Sequence, residues 1–340
     1  MSPRTLPESV RQRYSDNIAR HVLGIARFGR SYIMESLLEQ GDFSGLQLGY
    51  EPYIAALANH PMRLVDIARQ LGISRQAAGQ TMAQLIKADL IQQRHDPKDG
   101  RAKQLVLTQQ GKELAKQGRC LASALEERFV EQLGQRNVAL LERCTHELCQ
   151  SHAEQQGQAL LAAGVLAGDL NRLADYTERT LMHLTMALGH PGLKLSFGQV
   201  LSAIGPMGGR IQQIAQLQGV SKQAISAVAS ELETLGYIYR DTDPLDARQK
   251  VLQFTPRGVR LITDSVSSVD KLSEQWQQAL GAGRYQRFTS ALRRLYAALK
   301  IEGELFTGET DQEVARIAQQ LQAALGAARA RQLGQLLLQP

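Results

Sequence analysis

The sequence predicts a mainly helical fold with small β-hairpins, built from two copies of one unit. Residues 63–111 align without a gap to residues 210–258, which lie 147 positions further along the chain. Of the 49 aligned pairs, 17 are identical, where average residue usage would give about three by chance. Each copy also has the same order of patterns: a short helix, a turn, a second helix and two strands.

The first part of each copy predicts two helices joined by a tight turn. The short first helix covers residues 64–70 and 211–216. Gly72 and Gly219 follow it, and glycine supplies the positive φ with which a chain leaves a helix sharply. Ser74 and Ser221 then occupy the N-cap position of the second helix, predicted over residues 74–87 and 221–234.

The second helix of each copy has one apolar face and one unusual polar face. Apolar residues spaced by three and four predict a buried stripe: Ala78, Thr81, Met82, Leu85 and Ala88 in the first copy, and Ile225, Val228, Ala229, Leu232 and Leu235 in the second. The opposite face is polar, short in side chain and nearly free of acids. Its residues are Arg75, Gln76, Gly79, Gln80 and Ala83, and Lys222, Gln223, Ser226, Ala227 and Ser230. An ordinary solvated helix mixes long Glu and Lys side chains, so this face favours a helix that enters a DNA groove.

Each second helix is followed by a predicted hairpin with an arginine at its tip. The strands cover residues 90–95 and 103–107, and 237–242 and 250–254. The connections, DPKDGR and DPLDAR, begin with turn residues and end at Arg101 and Arg248. An arginine there can reach into a minor groove, and Asp99 or Asp246 can brace it. We expect further phosphate contacts from Arg94, Lys98, Lys103, Arg240 and Lys250.

The helix–Gly–apolar–Ser–helix pattern, the D-P-x-D-x-R turn and the following apolar–Thr–x–x–Gly resemble the winged helix-turn-helix of the MarR group of bacterial repressors. The resemblance covers each repeat over about 150 residues. It implies a helical dimer with two wings that binds pseudo-palindromic operators and is often released by small phenolic or other ligands. Relatives often have a Thr–Arg-like pair in the middle of the second helix, where this chain has Gly79–Gln80 and Ser226–Ala227.

Long amphipathic helices flank both copies. They are predicted over residues 9–40, 109–133, 137–161, 165–188, 256–280 and 284–299, with short helices at 50–58 and 197–204. In the family such helices form the dimer interface, so we expect a pseudo-dimer within one chain. Its repeats would span residues 1–160 and 161–302, joined by a shared bundle of long helices. Residues 303–340 are a helical extension that either completes this bundle or recruits another chain.

Most of the positive net charge lies in the two repeated segments. The formal net charge is +6; residues 63–111 contribute +4 (eight basic, four acidic) and residues 210–258 contribute +1 (six basic, five acidic). This is the electrostatic footprint of phosphate contacts, and it is stronger in the first copy.

The sequence has no motif that predicts a disulfide scaffold, a metal site, a phosphate-binding loop or a catalytic site. Three cysteines in 340 residues are no disulfide scaffold. Cys144, His146 and Cys149 do not share one helix face well enough to predict a metal site. The glycine-rich residues 205–210 lack the strand and the Lys-Ser/Thr of a phosphate loop. We expect no cofactor, no catalytic site, and no signal or membrane segment in a cytoplasmic protein.

The sequence therefore predicts a transcriptional regulator that binds double-stranded DNA, with a small apolar or aromatic molecule as its expected ligand. The alternative is a winged-helix module that has lost specific DNA reading and binds proteins instead.

Overall fold

The computed structural model describes residues 6–39, 43, 46, 48–71, 73–96, 99–155, 165–204, 208–218, 220–243, 250–301, 326, 329 and 331, with the side chains of residues 8, 48, 59, 99–101, 199 and 217 excepted. The chain forms two compact units. The first-wing unit comprises Asn17–Glu178 and Lys271–Leu299. The second-wing unit is built from Met1–Asp16, Arg179–Asp270 and Lys300–Pro340. Each unit thus contains one copy of the repeat and a segment from the other end of the chain.

The elements of the first repeat are helical apart from one hairpin. They are α1 (Glu8–Ser15), α2 (Ile18–Glu39), a 3-10 turn (Leu48–Tyr50), α3 (Glu51–Asn59), α4 (Leu64–Leu71), α5 (Arg75–Lys87), β1 (Ile91–Asp96), β2 (Asp99–Leu107), α6 (Gln109–Leu133) and α7 (Gln135–Gln155). The second repeat has α8 (Leu166–Ala187), α9 (Leu195–Leu201), β3 (Gly209–Arg210), α10 (Ile211–Gln218), α11 (Lys222–Thr234), β4 (Ile238–Thr242), β5 (Lys250–Phe254), α12 (Pro256–Leu280) and α13 (Ala282–Ala298).

The first-wing unit has a helical part and a winged part. In the helical part, α2, α6 and α7 pack with α13 from the far end of the chain. Trp276 and Phe288 meet edge to face there, with ring centroids 6.2 Å apart, and both are buried. The core of the winged part includes side chains from α3, α4, α5 and the hairpin, among them Tyr53, Ile67, Met82, Leu85 and Ile91.

The second-wing unit repeats the winged part and adds the N-terminal helix to it. Its core includes Phe197, Ile214, Ile225, Leu232 and Tyr237. Leu6, Val10 and Tyr14 at the start of the chain pack against this core. The Tyr14 hydroxyl donates a hydrogen bond to the carbonyl of Leu201 at 2.5 Å, and Arg13 pairs with Asp270. The chain is therefore already part of a packed unit at Leu6.

Each hairpin gains a third backbone partner that the sequence did not predict. In the second-wing unit β3 makes a three-stranded sheet in the order β3-β5-β4, with Gly209 opposite Leu252. In the first-wing unit the corresponding pair is an isolated bridge in which the Met62 and Leu105 amides exchange hydrogen bonds of 3.2 and 2.8 Å. The base of each wing is thus tied to the chain that enters the helix-turn-helix.

The single long helix predicted over residues 9–40 is wrong, because the chain breaks between α1 and α2. Asp16 is extended (φ −131°, ψ 97°). The Asn17 side chain accepts a hydrogen bond from the Arg20 amide at 2.9 Å, which caps the new helix. The Ser15 hydroxyl turns back to the carbonyls of Arg11 and Gln12. A Ser-Asp-Asn run offers these local bonds in competition with the helix.

The remaining predicted elements occur with small shifts of their ends. Both hairpins, both helix pairs and the long helices after each wing are present. The helix predicted over residues 137–161 corresponds to α7, which is described as far as Gln155. Residues 156–164 lie outside the described part. The helices expected in the 303–340 extension also fall outside it, apart from isolated positions. Within the described residues no helix is both long and apolar enough to cross a membrane.

Candidate nucleic-acid interface

The helix-turn-helix of each copy forms as the repeated residues predict. In the first copy, Ile67 and Ala68 of α4 are buried, and the Ile73 amide donates to the Ala68 carbonyl at 3.0 Å to close the turn. The Ser74 hydroxyl accepts from the Ala77 amide at 3.1 Å, which confirms it as the N-cap of α5. Gly72 and Gly219, expected to supply a positive φ, lie outside the described residues.

The second copy uses the same contacts. Val220 donates to the Ala215 carbonyl at 3.1 Å, and Ser221 caps α11 by accepting from the Ala224 amide at 3.1 Å. The buried stripes are confirmed as well, with Ala78, Met82 and Leu85 in α5 and Ile225, Ala229 and Leu232 in α11.

Burial of that stripe leaves the opposite face of α5 in solvent. Arg75, Gln76 and Gln80 are exposed, and no acidic residue occurs in the helix. Gly79 is half-buried, and a Cβ built on it would lie 3.8 Å from the Leu64 side chain. The centre of α5 therefore lacks a side chain at Gly79, and hydrogen-bond donors and acceptors flank this position. Such a surface leaves room for a base edge to approach the helix.

The face of α11 differs because acidic residues accompany its polar ones. Lys222 and Gln223 are exposed and Ser226 is half-buried, as the sequence indicated. However, Glu231 pairs with Lys194, and Glu233 pairs with Arg240. The Arg240 amide also donates to Glu233 Oε1 at 3.0 Å, and its guanidinium donates to the Ser230 hydroxyl at 3.1 Å. Arg240, predicted to contact DNA, is thus held against α11, the second helix of its own helix-turn-helix.

The wings extend from the core as antiparallel ladders. In β1 the residues between Ile91 and Asp96 are exposed, including Arg94, and Lys103 in β2 is exposed opposite His95. Lys250 in β5 is exposed and donates to the Thr242 hydroxyl at 2.9 Å. Lys98, Asp246 and Arg248 lie outside the described residues. For Asp99 and Arg101 only the β2 backbone is described, so the aspartate brace stays a prediction.

A buried ion pair at the base of each wing was missed by the sequence prediction. Arg63 donates to Asp96 Oδ2 through Nε and Nη2 at 2.8 and 2.7 Å. Arg210 donates to Asp243 Oδ2 through Nε at 2.6 Å. Both carboxylates are nearly fully buried, so the aspartates that were assigned to the turns instead fix each hairpin to the start of its helix-turn-helix. The signal was present, because both residues of the pair are identical in the two copies.

The Thr-x-x-Gly that follows each wing closes the unit. The Thr108 hydroxyl accepts from the Gly111 amide at 3.0 Å, which caps α6, and donates to the Asp89 carbonyl at 2.5 Å. Thr255 does the same with Gly258 and Gly236, at 3.0 and 2.6 Å. This locks the end of each recognition helix to the next long helix.

The described residues contain no cluster of three or more His, Cys, Asp and Glu side chains that could hold a metal. Cys144 and Cys149 are buried in α7. Burial, followed by the charge of Asp169, raises the pKa of the Cys149 thiol to about 12, so it stays protonated at neutral pH.

Comparison with known proteins agrees with this geometry. A model of the MarR family matches the chain twice, at residues 45–102 and 192–249. A putative transcriptional regulatory protein for the hcr operon of Thauera aromatica is 29% identical over an alignment of 99 residues that covers 26% of this chain and 60% of that protein. The match therefore spans less than two thirds of the relative.

Solved structures of regulators are also similar. The transcriptional regulator Tm0710 of Thermotoga maritima is 20% identical with a TM-score of 0.31, covering 39% of this chain and 92% of that one. CouR from Rhodococcus jostii RHA1 bound to p-coumaroyl-CoA is 24% identical with a TM-score of 0.26, covering 46% and 90%. Two matches to the MarR family model, one in each winged unit, show that the chain carries the MarR family domain in tandem.

Proposed function

We propose that this regulator binds double-stranded DNA and represses transcription by reading a pseudo-palindromic operator with α5, α11 and two wings. The observation that carries the proposal is the exposed face of α5, which presents Arg75, Gln76 and Gln80 with no acidic residue in the helix. Phosphates do not repel such a helix, and its amides and guanidinium suit adenine and guanine edges in the major groove.

The tandem arrangement supports an operator with two half-sites. Each copy has an N-capped second helix and a hairpin. Arg101 belongs to β2 of the first hairpin, and the sequence places Arg248 between β4 and β5 of the second. Two such units on one chain would read half-sites about one helical turn, ~34 Å, apart. Their fusion makes the pairing of halves intramolecular, so dilution cannot separate them.

The first copy is proposed to supply most of the affinity. Its helix has Arg75 and Lys87 and no acid, whereas α11 has Lys222 and two glutamates. Its wing strands contain Arg94 and Lys103, and position 94 is Asp241 in the second copy. More positive charge neutralises more phosphates and releases more counterions.

Binding to duplexes selected from a genomic library tests the proposal. The salt dependence of the affinity should be steep, and Arg75→Ala should weaken binding about tenfold or more. Arg119→Ala, which removes an exposed arginine from α6, is the matched control and should have little effect. Equal losses would reject a specific role for α5. A folded protein without saturable DNA binding would favour the protein-interaction module.

We extend the proposal to a small apolar or aromatic ligand that releases the protein from DNA, as family membership suggests. The junction of the long helices with a winged unit is the expected place, since such junctions form clefts. A panel of phenolic and other aromatic acids should include one that raises the melting temperature and weakens operator binding. No change in either measurement across the panel would contradict this extension.

A further inference from the structure

Three exposed arginines line a groove that the proposed DNA interface does not use. Arg136 and Arg143 project from α7, and Arg287 projects from α13. The groove has a volume of about 460 Å³, which is in the range of small-molecule sites. Ala139 and Leu140 provide its apolar surface, and none of the described residues that line it is an Asp or a Glu.

The acidic residues of this part of α7 are engaged elsewhere. Glu147 accepts two hydrogen bonds from Arg284, at 2.7 and 2.8 Å, and so neutralises a fourth arginine nearby. Glu142 is hydrogen bonded to Glu126 of α6. Neither carboxylate is among the described groove residues, so the three arginines line this volume without an acidic side chain among those residues.

The guanidinium groups act on a common region. Burial raises the pKa of the Cys144 thiol, while the charges of Arg284, Arg143 and Arg287 lower it. Arg143 and Arg287, although 144 positions apart in the chain, line the same groove. α7 and α13 pack directly against each other, which fixes the two arginines on adjacent helices.

We propose that this groove binds a small organic anion with two or more negative charges, such as a phosphate ester or a polycarboxylate. The planar guanidinium fork pairs with phosphate and carboxylate oxygens in a bidentate manner, and two or three forks favour a ligand with several such groups. Ala139 and Leu140 offer a surface for its carbon atoms. The core of the first winged part contains no residue of α7 or α13 among those described, so the groove is separate from the helix-turn-helix.

Calorimetric titration of the full chain with pyrophosphate and with citrate tests this site. At least one probe should bind saturably with one site per chain, and the tighter probe identifies the preferred acid group. Arg143→Gln/Arg287→Gln should weaken that binding about tenfold or more, because two charge-assisted contacts are lost. The control Arg119→Gln/Arg294→Gln removes two exposed arginines outside the groove and should leave the affinity unchanged.

Three results would overturn the proposal. One is the absence of saturable binding by either probe, and another is an equal loss in the groove and control variants, which indicates nonspecific attraction. The third is a loss of duplex binding in the groove variant as large as that of Arg75→Ala, which would assign the groove to DNA. The titrations do not depend on DNA binding, so the DNA proposal and this one can fail separately.

Discussion

Gly111 and Gly258 occupy the position where each long helix approaches the end of the preceding turn. A Cβ on Gly111 would lie 2.0 Å from the Leu90 carbonyl oxygen, and one on Gly258 would lie 2.0 Å from that of Tyr237. Both contacts are with backbone, which cannot move aside as a flexible side chain can. The identity of this glycine in both copies therefore has a steric cause rather than a conformational one.

We predict that Gly111→Ala lowers the free energy of unfolding by roughly 2–4 kcal/mol, because the helix must shift to remove the clash. Gly118→Ala is the control in the same helix: a Cβ there meets nothing within 4 Å, and alanine favours the helix by up to about 1 kcal/mol. Trp276, the chain's single tryptophan, is buried in the same unit and reports the urea transition by fluorescence. Similar midpoints for the two variants would contradict the steric argument.

The two wing-base ion pairs predict different sensitivities. The Arg210 side chain is 15% exposed and that of Arg63 is 40% exposed, although both aspartates are buried. Solvent screens the Arg210–Asp243 pair less than the Arg63–Asp96 pair. Asp243→Asn should therefore lower the local free energy of opening by about 3 kcal/mol, and Asp96→Asn should lower it by about 1 kcal/mol. Hydrogen exchange of the β5 and β2 amides measures both. A larger effect in the first copy would show that exposure does not set the cost.

These ion pairs also show which contacts between residues could not be predicted from the sequence. The cap serines, the buried stripes and the exposed polar face follow from local spacing, and the structure has them where the spacing predicts. Arg63 and Asp96 are 33 positions apart, and no periodicity relates a helix start to a wing base. Repeat identity marked the four residues as constrained without indicating that they meet.

Among the elements, the two copies differ in the contact between the second helix of the helix-turn-helix and the first strand of the wing. Glu233 holds Arg240 by a side-chain ion pair and a backbone hydrogen bond. The equivalent positions of the first copy are Ile86 and Gln93, so the first copy has no corresponding ion pair or hydrogen bond between these positions. In the second copy, Glu233 of α11 therefore neutralises Arg240 of β4, which supports the weaker role proposed for this copy.

We predict that Glu233→Gln strengthens DNA binding, by about threefold to tenfold, because it removes a negative charge near phosphate and releases Arg240. Glu274→Gln is the control, since it removes the same charge from an exposed position of α12. Affinity should be measured at several salt concentrations, and the salt slope should steepen only for Glu233→Gln. An unchanged slope and affinity would place α11 away from the DNA backbone.

The packing of α6 against α7 predicts a pH-dependent stability. Burial, then a hydrogen bond with Glu142 and its charge, raises the pKa of Glu126 from 4.5 to about 7. The folded protein therefore holds more protons than the unfolded chain between those pH values, and stability falls as the pH rises through that window. Glu126→Gln should remove this loss and stabilise the protein above pH 7, whereas exposed Glu127→Gln should not. Melting temperatures from pH 5 to pH 8 measure the difference, and parallel curves would contradict it.

Helix ends were the least predictable feature of the elements. Apolar periodicity runs through residues 9–40 and carries no mark at Asp16, yet side-chain hydrogen bonds of Ser15 and Asn17 divide the helix there. The division matters because α1 and α2 then belong to different compact units. Local capping, worth about 1 kcal/mol, outweighs a continuous pattern when each segment has its own core to pack against.

At the scale of the whole molecule, the compact units do not follow the order of the repeats. The second-wing unit takes α1 from the start of the chain, and the first-wing unit takes α13 from the far end. Helices α8 and α12 each begin in one unit and end in the other. A cut near residue 160 would remove Trp276, Phe288 and Leu292 from the unit in which they are buried. The repeats are thus units of sequence, and the compact units are assembled from different segments of the chain.

The wing arginines test the central claim, that two unequal winged units of one chain bind one operator. The measurement is the equilibrium affinity of an operator-length duplex for the unchanged protein, Arg101→Ala and Arg248→Ala, each over a series of salt concentrations. Both substitutions should weaken binding, by about 1–3 kcal/mol where the arginine reaches a base edge, and Arg101→Ala should cost more and reduce the salt slope further. Equal losses would contradict the asymmetry, and unchanged binding by both variants would contradict the use of the wings.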